Sequence, residues 1–192
     1  MSDPQYYLWL DLETTGLDVK WCEIWEVAAI VTDKHYNEIQ RYHCYITPFA
    51  PPLVGLHNIP IEEEMEDYLA LVKKDSDTSF AYNMHVETGL LNNWKEAVLT
   101  GTAISLEQAC LDLCQLTDKM PGEELIVLAG SSVHYDHMFL SHHLGEFARL
   151  LSHRHHDLTA IKLFINSIKK NASDKFRDDV KPKHIAMNDL ET

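Results

Sequence analysis

The stretch Leu8-Trp9-Leu10-Asp11-Leu12-Glu13-Thr14-Thr15-Gly16-Leu17 decides how this sequence is interpreted, because an apolar run ends there in two carboxylates. Side chains two positions apart on a strand project from the same face, so Asp11 and Glu13 are predicted to lie side by side and repel each other. A strand end with both acids in water is one interpretation. A divalent cation site is the other, because carboxylate oxygens are ligands of Mg²⁺ and Mn²⁺. The turn that follows places the pair at the end of a sheet, where α/β proteins form binding sites, and favours the cation site.

Two distant parts of the sequence supply further acids. A predicted strand at residues 125–128 runs into a small-residue turn, and Asp136 follows at the junction with a predicted helix. Near the end of the sequence, the pattern H-x-A-x-x-D runs from His184 to Asp189. On a helix these two side chains would flank a site without stacking on one face. Asp189 is followed by three residues, so we expect its helix to fray unless it docks well.

The order of these motifs resembles the oligoribonuclease family of the DEDDh (DnaQ-like) 3′-5′ exonucleases. Segments with counterparts in that family cover nearly the whole chain, at residues 9–17, 30–33, 85–90, 130–136 and 184–189. The resemblance implies an α/β, ribonuclease-H-like fold with a mixed sheet of three antiparallel strands plus parallel strands, flanked by helices. We expect residues 1–192 to form a single DEDDh exonuclease domain.

The resemblance also implies a reaction and the residues that perform it. The family degrades short oligoribonucleotides from the 3′ end to 5′-mononucleotides by hydrolysis at two divalent cations, Mg²⁺ or Mn²⁺. Asp11, Glu13, Asp136 and Asp189 are then the metal ligands, with Asp11 bridging both ions. His184 is the expected general base, because a neutral imidazole accepts the proton of the attacking water.

Four further residues match substrate-binding positions of the family. Leu17 stands where a leucine wedges against the terminal bases, and Phe80 stands where the family usually has a tryptophan that stacks on a base. His85 and Ser132 match positions near the substrate backbone.

The segment at residues 154–159 resembles the family's Arg-x-x-Asp segment, which caps the 5′ phosphate of a short substrate across a homodimer. Arg154 and Thr159 are therefore expected to contact phosphate, and Asp157 is expected to be structural. The homodimer itself is implied only by the resemblance.

Composition limits the kind of substrate and the compartment. The 192-residue chain carries a net charge of -14 with 16 lysines and arginines, too few for a long basic track along nucleic acid. A short single-stranded RNA, or a short DNA, presents few phosphates and removes this conflict. The sequence has no apolar run of about 20 residues and no signal segment, so no membrane partner and a cytoplasmic location are expected. The four cysteines are expected to be buried free thiols.

Two alternatives remain open at this point. A protein of the same fold could trim longer single-stranded DNA or RNA as a general 3′-5′ exonuclease. A catalytically idle module could instead use the acidic site only to bind nucleic acid. A site without a catalytic role, however, has no physical need to keep like charges together.

The coarse order of elements is also predictable from the sequence. Strands are predicted at residues 6–11, 24–32, 39–47 and 125–128, the second and third joined by a hairpin turn at 33–37. Helices are predicted at residues 61–72, 86–99, 105–117, 136–151 and 158–169, with a capping box between Ser105 and Gln108. Residues 171–183 are predicted to form a loop.

Overall fold

A computed structural model describes residues 6–49, 60–118, 120, 126–169 and 186–190 of the chain. Its five-stranded sheet has the order β3-β2-β1-β4-β5. The strands are β1 (Tyr6–Thr14), β2 (Ile24–Asp33), β3 (Glu38–Tyr45), β4 (Ile126–Gly130) and β5 (Leu151–Asp157). The first three pair antiparallel, whereas β4 pairs parallel with both β1 and β5. The predicted mixed sheet is therefore confirmed.

Helices lie on both faces of this sheet. They are α1 (Ile61–Lys74), α2 (Ser79–Thr88), α3 (Leu90–Thr100), α4 (Leu106–Asp118), α5 (His134–His143), α6 (Gly145–Ala148), α7 (Leu158–Ile168) and α8 (Ala186–Leu190). The larger core packs α4, α5 and α6 against one face, and a second core packs α1 and α3 around Trp25, whose ring stacks on Trp94 at 4.8 Å. Helix α8 contacts β1 and β2 on the opposite face from the larger core. Within the described ranges, no helix is long and apolar enough to cross a membrane.

The period-two pattern of β1 places the acids on one face and the core on the other. Leu8 and Leu10 are buried in the larger core, and Asp11 and Glu13 project to the opposite side. Strand β1 is the central strand of the sheet. In its pairing with β2, Asp11 lies opposite Ala28 and Glu13 lies opposite Glu26. Both predicted site acids thus lie in the middle of the sheet, where neighbouring strands and helices can reach them.

Two of the predicted helices are wrong in extent. The helix predicted at residues 86–99 is two helices, since α2 ends at Thr88, the chain turns at Gly89 with φ +85°, and α3 begins at Leu90. A left-handed residue cannot continue a right-handed helix, and glycine adopts that conformation at low cost.

The helix predicted at residues 136–151 ends at His143, and a short α6 and the strand β5 follow. The strand β5 lacks an apolar pattern because it lies at the edge of the sheet and exposes polar side chains such as His153 and Arg154. Among the described residues it pairs only with β4. The loop predicted at residues 171–183 lies outside the described residues.

Smaller predictions can be compared directly with the structure. The capping box at α4 is half formed: the Gln108 backbone N–H donates to Ser105 Oγ at 3.2 Å, whereas the Gln108 side chain donates to Asp112. The hairpin turn is confirmed, and its N–H groups at His35 and Asn37 donate to the Asp33 carboxylate. All four cysteines are free thiols, as predicted, but only Cys22 is fully buried. Cys44, Cys110 and Cys114 are partly buried, so the prediction of burial is wrong for these three.

We expect Gly89→Ala to lower the free energy of unfolding by about 1–2 kcal/mol, because a left-handed conformation costs this much for a residue with a Cβ. Space is not the obstacle, since no atom lies within 4 Å of a Cβ added there. Urea unfolding of both variants measures the difference. Gly145→Ala is the matched control, because its site is equally open and has no left-handed φ. It should be neutral or stabilising, and equal losses in the two variants would contradict the conformational explanation.

Candidate active site

Three carboxylates from the two ends of the described chain meet at one place. Asp11 and Glu13 lie near the end of β1, and Asp189 comes from α8. One oxygen of each lies within 4.8 Å of the others. His184, the predicted general base, lies outside the described residues, two positions before α8 begins at Ala186.

Asp136 lies beside the same cluster, although it is distant in sequence from the other three acids. It lies in the first turn of α5, which follows the end of β4 next to β1. Its Oδ1 accepts a hydrogen bond from the backbone N–H of Leu12 at 3.1 Å. Since Leu12 separates Asp11 from Glu13, this bond ties the fourth acid to the strand segment that carries the first two.

Burial strongly disfavours the charged forms of Asp11, Glu13 and Asp136, and repulsion from neighbouring carboxylates adds to it. Burial, followed by repulsion from Asp136 and Asp189, raises the pKa of Asp11 to about 8. Burial and then the Asp11 charge raise the pKa of Glu13 to about 9. Burial raises the pKa of Asp136 to about 7, although the hydrogen bond from Leu12 acts in the opposite direction. A site of this kind needs either bound protons or a nearby positive charge.

His85 lies behind Glu13 and is fully buried. Its Nε2 donates to the carbonyl oxygen of Thr14 at 2.8 Å, an assignment that follows because a carbonyl only accepts. Its Nδ1 lies 3.7 Å from Glu13 Oε2. The sequence predicted a contact with the substrate backbone, whereas the structure places this ring against the strand that carries the acids.

Leu17 and Phe80 are both exposed, at 72% and 78% of their surface. Leu17 lies in the loop before β2, and Phe80 lies in the first turn of α2. The chain segments just before these two residues pack together at Gly16. A Cβ added to Gly16 would lie 2.6 Å from the Asp77 carbonyl oxygen and 2.7 Å from Cys22 Sγ. Leu17 follows this contact directly and Phe80 follows Asp77 by three residues, so both apolar side chains extend from one tightly joined region.

Trp21 is an exposed aromatic residue that the sequence analysis missed. It is 78% exposed, whereas Trp25 and Trp94 are fully buried. Its backbone N–H donates to the Asp18 carbonyl oxygen in the same loop as Leu17. The available signal was a large aromatic residue in the loop between β1 and β2, where no buried strand accounts for it.

The structure brings Ser132 and Thr159 together, with 3.1 Å between their hydroxyl oxygens. Asp157 Oδ1 accepts hydrogen bonds from the backbone N–H groups of Ser132, Thr159 and Ala160, so it caps α7 and joins it to the β4–α5 turn. This is the structural role expected for Asp157. Arg154 is exposed on β5, three residues before it.

Glu26 is the second residue that sequence reasoning missed. It is fully buried on β2, and its two oxygens have separate partners, His43 Nε2 at 2.7 Å and the backbone N–H of Ala186 at 2.8 Å. A single acid within the apolar run at residues 24–31 was the available signal. Its partners could not be read from the sequence, because they come from another strand and from the last described helix.

Comparison with solved structures supports the fold. The chain superposes on E. coli Exonuclease I in complex with a 5cy-dA13 oligonucleotide with a TM-score of 0.61, 16% identity and 97% coverage, although it spans only 38% of that longer chain. It superposes on the nuclease domain of 3′hExo, a DEDDh family member bound to rAMP, with a TM-score of 0.54, 13% identity and coverage of 99% of this chain and 88% of that one.

Comparison of sequences finds similar proteins of one kind. A family model described as Exonuclease (RNase_T) matches residues 8–59, which include Asp11 and Glu13. The oligoribonuclease of Pasteurella multocida is 29% identical over 188 residues, covering 98% of this chain and 88% of the relative. That of Francisella tularensis subsp. novicida is 29% identical over 163 residues, covering 85% and 78%. The chain is thus similar to oligoribonucleases over most of its length, and the strand that carries its first two acids lies within the match to the exonuclease family model.

Proposed function

We propose that this protein is a metal-dependent 3′-5′ exoribonuclease that degrades short oligoribonucleotides to 5′-mononucleotides. The observation that carries the proposal is the meeting of Asp11, Glu13 and Asp189 within 4.8 Å, with Asp136 bonded to the strand between the first two. The relatives called oligoribonucleases, matched over most of their length, support short RNA as the substrate. A single domain over residues 1–192, a homodimer and a cytoplasmic location stay predictions.

The chemistry of the donors fits hard divalent cations. All the donors are carboxylate oxygens, which Mg²⁺ and Mn²⁺ prefer, and their spacing allows several of them to contact one ion. We assign Asp11, Glu13 and Asp189 to one ion, and Asp136 together with Asp11 to a second. When bound, the ions lower the pKa of the attacking water and stabilise charge on the departing 3′ oxygen.

The remaining residues orient groups and move a proton. His85 lies between the Thr14 carbonyl and Glu13, and we assign it to holding that carboxylate in place. We assign His184 to accept the proton of the attacking water at a neutral imidazole nitrogen. The water oxygen then bonds to phosphorus as the bond to the 3′ oxygen breaks, and one water is consumed for each mononucleotide released.

Substrate binding is assigned to side chains that are exposed or partly exposed. Leu17 and Phe80 offer apolar surfaces for the terminal bases, and such stacking tolerates any sequence because every base has a π-face. Ser132, Thr159 and Arg154 are assigned to phosphate and backbone contacts. Few phosphates need to be neutralised on a short substrate, which agrees with a net charge of -14.

Hydrolysis of a 5′-labelled RNA ladder, from two to about twenty nucleotides, tests the proposal when Mg²⁺, Mn²⁺ and EDTA are compared in parallel. We expect metal-dependent shortening from the 3′ end that is fastest on the shortest members. Asp11→Asn, Glu13→Gln, Asp136→Asn and Asp189→Asn should each remove nearly all turnover, and His184→Ala should reduce it by about 10²- to 10⁴-fold.

Asp112→Asn is the matched control, because the partners of this carboxylate are Tyr42 and Gln108 and none of the assigned site residues. This variant should leave the rate unchanged. Equal rates on all lengths would assign a general exonuclease instead. Binding without hydrolysis would assign an idle module, and an active Asp11→Asn protein would refute the assigned site.

Phe80→Ala should raise KM for di- to tetranucleotides about 5- to 150-fold with little change in kcat, because one base–aromatic stack is worth about 1–3 kcal/mol. Phe80→Trp should lower KM, since a larger ring provides more stacking surface. Leu71→Ala removes a side chain of similar exposure (69%) from α1 and is the control. If Leu71→Ala and Phe80→Ala raise KM equally, the stacking role is wrong.

The thermal stability of the metal-free protein should fall as the pH rises from about 5 to about 9. Raised pKa values mean that the folded state keeps protons on Asp11 and Glu13 up to about pH 8 and 9. The unfolded chain releases these protons near pH 4. Stability from these protons is therefore complete below pH 4 and is lost as the pH approaches 8 to 9. Mn²⁺ should raise Tm more at high pH, because it binds the deprotonated groups.

Scans in EDTA and in Mn²⁺, on the parent and on an Asp11→Asn/Glu13→Gln double variant, isolate the contribution of the site from that of all other groups. The double variant should show a flatter pH profile and lose the increment in Tm with Mn²⁺. An equal Mn²⁺ increment in both proteins would place the cation elsewhere.

A further inference from the structure

A buried carboxylate on β2 connects that strand to β3 and to α8. Glu26 Oε2 accepts the backbone N–H of Ala186 at 2.8 Å, and Glu26 Oε1 pairs with His43 Nε2 at 2.7 Å. We infer that Glu26, held by His43, is a positioning residue that fixes α8 and thereby places Asp189 beside Asp11 and Glu13. The consequence for metal binding rests on the proposed function, whereas the placement of α8 does not.

Helix α8 needs such a contact because it is too short to be stable alone. It has five residues, and isolated helices of that length do not persist in water. Its first N–H groups have no partner within the helix, so they must be satisfied by other groups. The Ala186 N–H is buried and finds the Glu26 carboxylate, a charged acceptor that makes a stronger bond than a neutral one.

The position of Glu26 on the sheet explains why its effect reaches the acids. Glu26 lies opposite Glu13 in the antiparallel register of β1 and β2, so both side chains project from the same face. Helix α8 packs against these same two strands. A shift of α8 away from Glu26 therefore moves Asp189 away from Asp11 and Glu13.

A glutamate at this buried position of β2 costs folding free energy, so its presence calls for a specific role. It is fully buried, and its charge adds to the repulsion that Asp11 and Glu13 already experience. An unpartnered buried carboxylate is costly, but here both oxygens are hydrogen-bonded to groups from different elements. An apolar side chain in the same strand position would avoid the repulsion and would leave the Ala186 N–H without its acceptor.

His43 orients the carboxylate from the edge of the sheet. It lies on β3 opposite Ala28, diagonally across from Glu26, and its side chain is 34% exposed. Its ring packs edge-on against Tyr45 at 5.0 Å. Because the His43 side chain is partly exposed, a small molecule could reach the space that its removal would leave.

Glu26→Ala and Glu26→Gln separate positioning from other roles of the side chain. The glutamine variant keeps an oxygen that can accept the Ala186 N–H, whereas the alanine variant keeps none. We expect Glu26→Ala to speed hydrogen exchange of the amides at 186–190 while those in β1 stay protected. It should also weaken Mn²⁺ binding, measured by calorimetry, by about 10- to 100-fold.

In the exonuclease assay the loss should appear in kcat, and KM should be retained because Leu17 and Phe80 are unchanged. Glu26→Gln should restore most of the Mn²⁺ affinity and of the exchange protection. Arg41→Ala is the control, because Arg41 lies two residues before His43 on the same face of β3 and pairs with Glu38. It should behave as the parent protein.

His43→Ala gives a second, independent test. It should reproduce part of the Glu26→Ala defect, and imidazole added with Mg²⁺ as the cation should restore activity by filling the exposed space. Unchanged exchange at 186–190 and unchanged Mn²⁺ affinity in Glu26→Ala would overturn the inference, as would equal defects in Glu26→Ala and Glu26→Gln. If the parent protein hydrolyses no RNA, the proposed function fails, and the exchange measurement still decides the role of Glu26.

Discussion

The repulsion among buried carboxylates is the constraint on which the rest of the structure depends. Burial raises the pKa of Asp11, Glu13 and Asp136, and repulsion from neighbouring carboxylates adds to the effect of burial. Asp189 brings a further carboxylate to the same place. The chain holds them together through contacts that lie outside the cluster. Asp136 is tied to the Leu12 N–H, and α8 is tied to Glu26. The free energy that permits this arrangement comes from the apolar cores packed around the sheet.

The central position of β1 allows one strand to contribute to both the apolar core and the acidic cluster. One face of the strand buries Leu8 and Leu10, while the other carries the acids, so the same nine residues serve both core and site. Antiparallel β2 contributes Glu26 on one side, and parallel β4 leads into the helix of Asp136 on the other. A strand at the edge of the sheet could not have received support from both sides.

The features that were predictable from sequence depend on local patterns. Period-two alternation and a following turn identified β1 and its two acids, and the family resemblance joined Asp136 and Asp189 to them. The break at Gly89 was missed because a lone glycine within a helical pattern is compatible with one continuous helix. The strand β5 was missed because an exposed edge strand lacks apolar alternation. Glu26 and the burial of His85 depend on partners far away in the chain, which local patterns do not encode.

The attachment of α8 separates the stability of the site from the stability of the fold. This helix contributes five residues, of which Ala186 is buried, so its release would expose little apolar surface. Release would therefore require much less free energy than melting the sheet and its two cores. On heating, we therefore expect two transitions: Asp189 leaves the acidic cluster in the first, and the sheet unfolds in the second, at a higher temperature. Between them the molecule would give the circular dichroism of a folded protein while lacking an assembled acidic cluster.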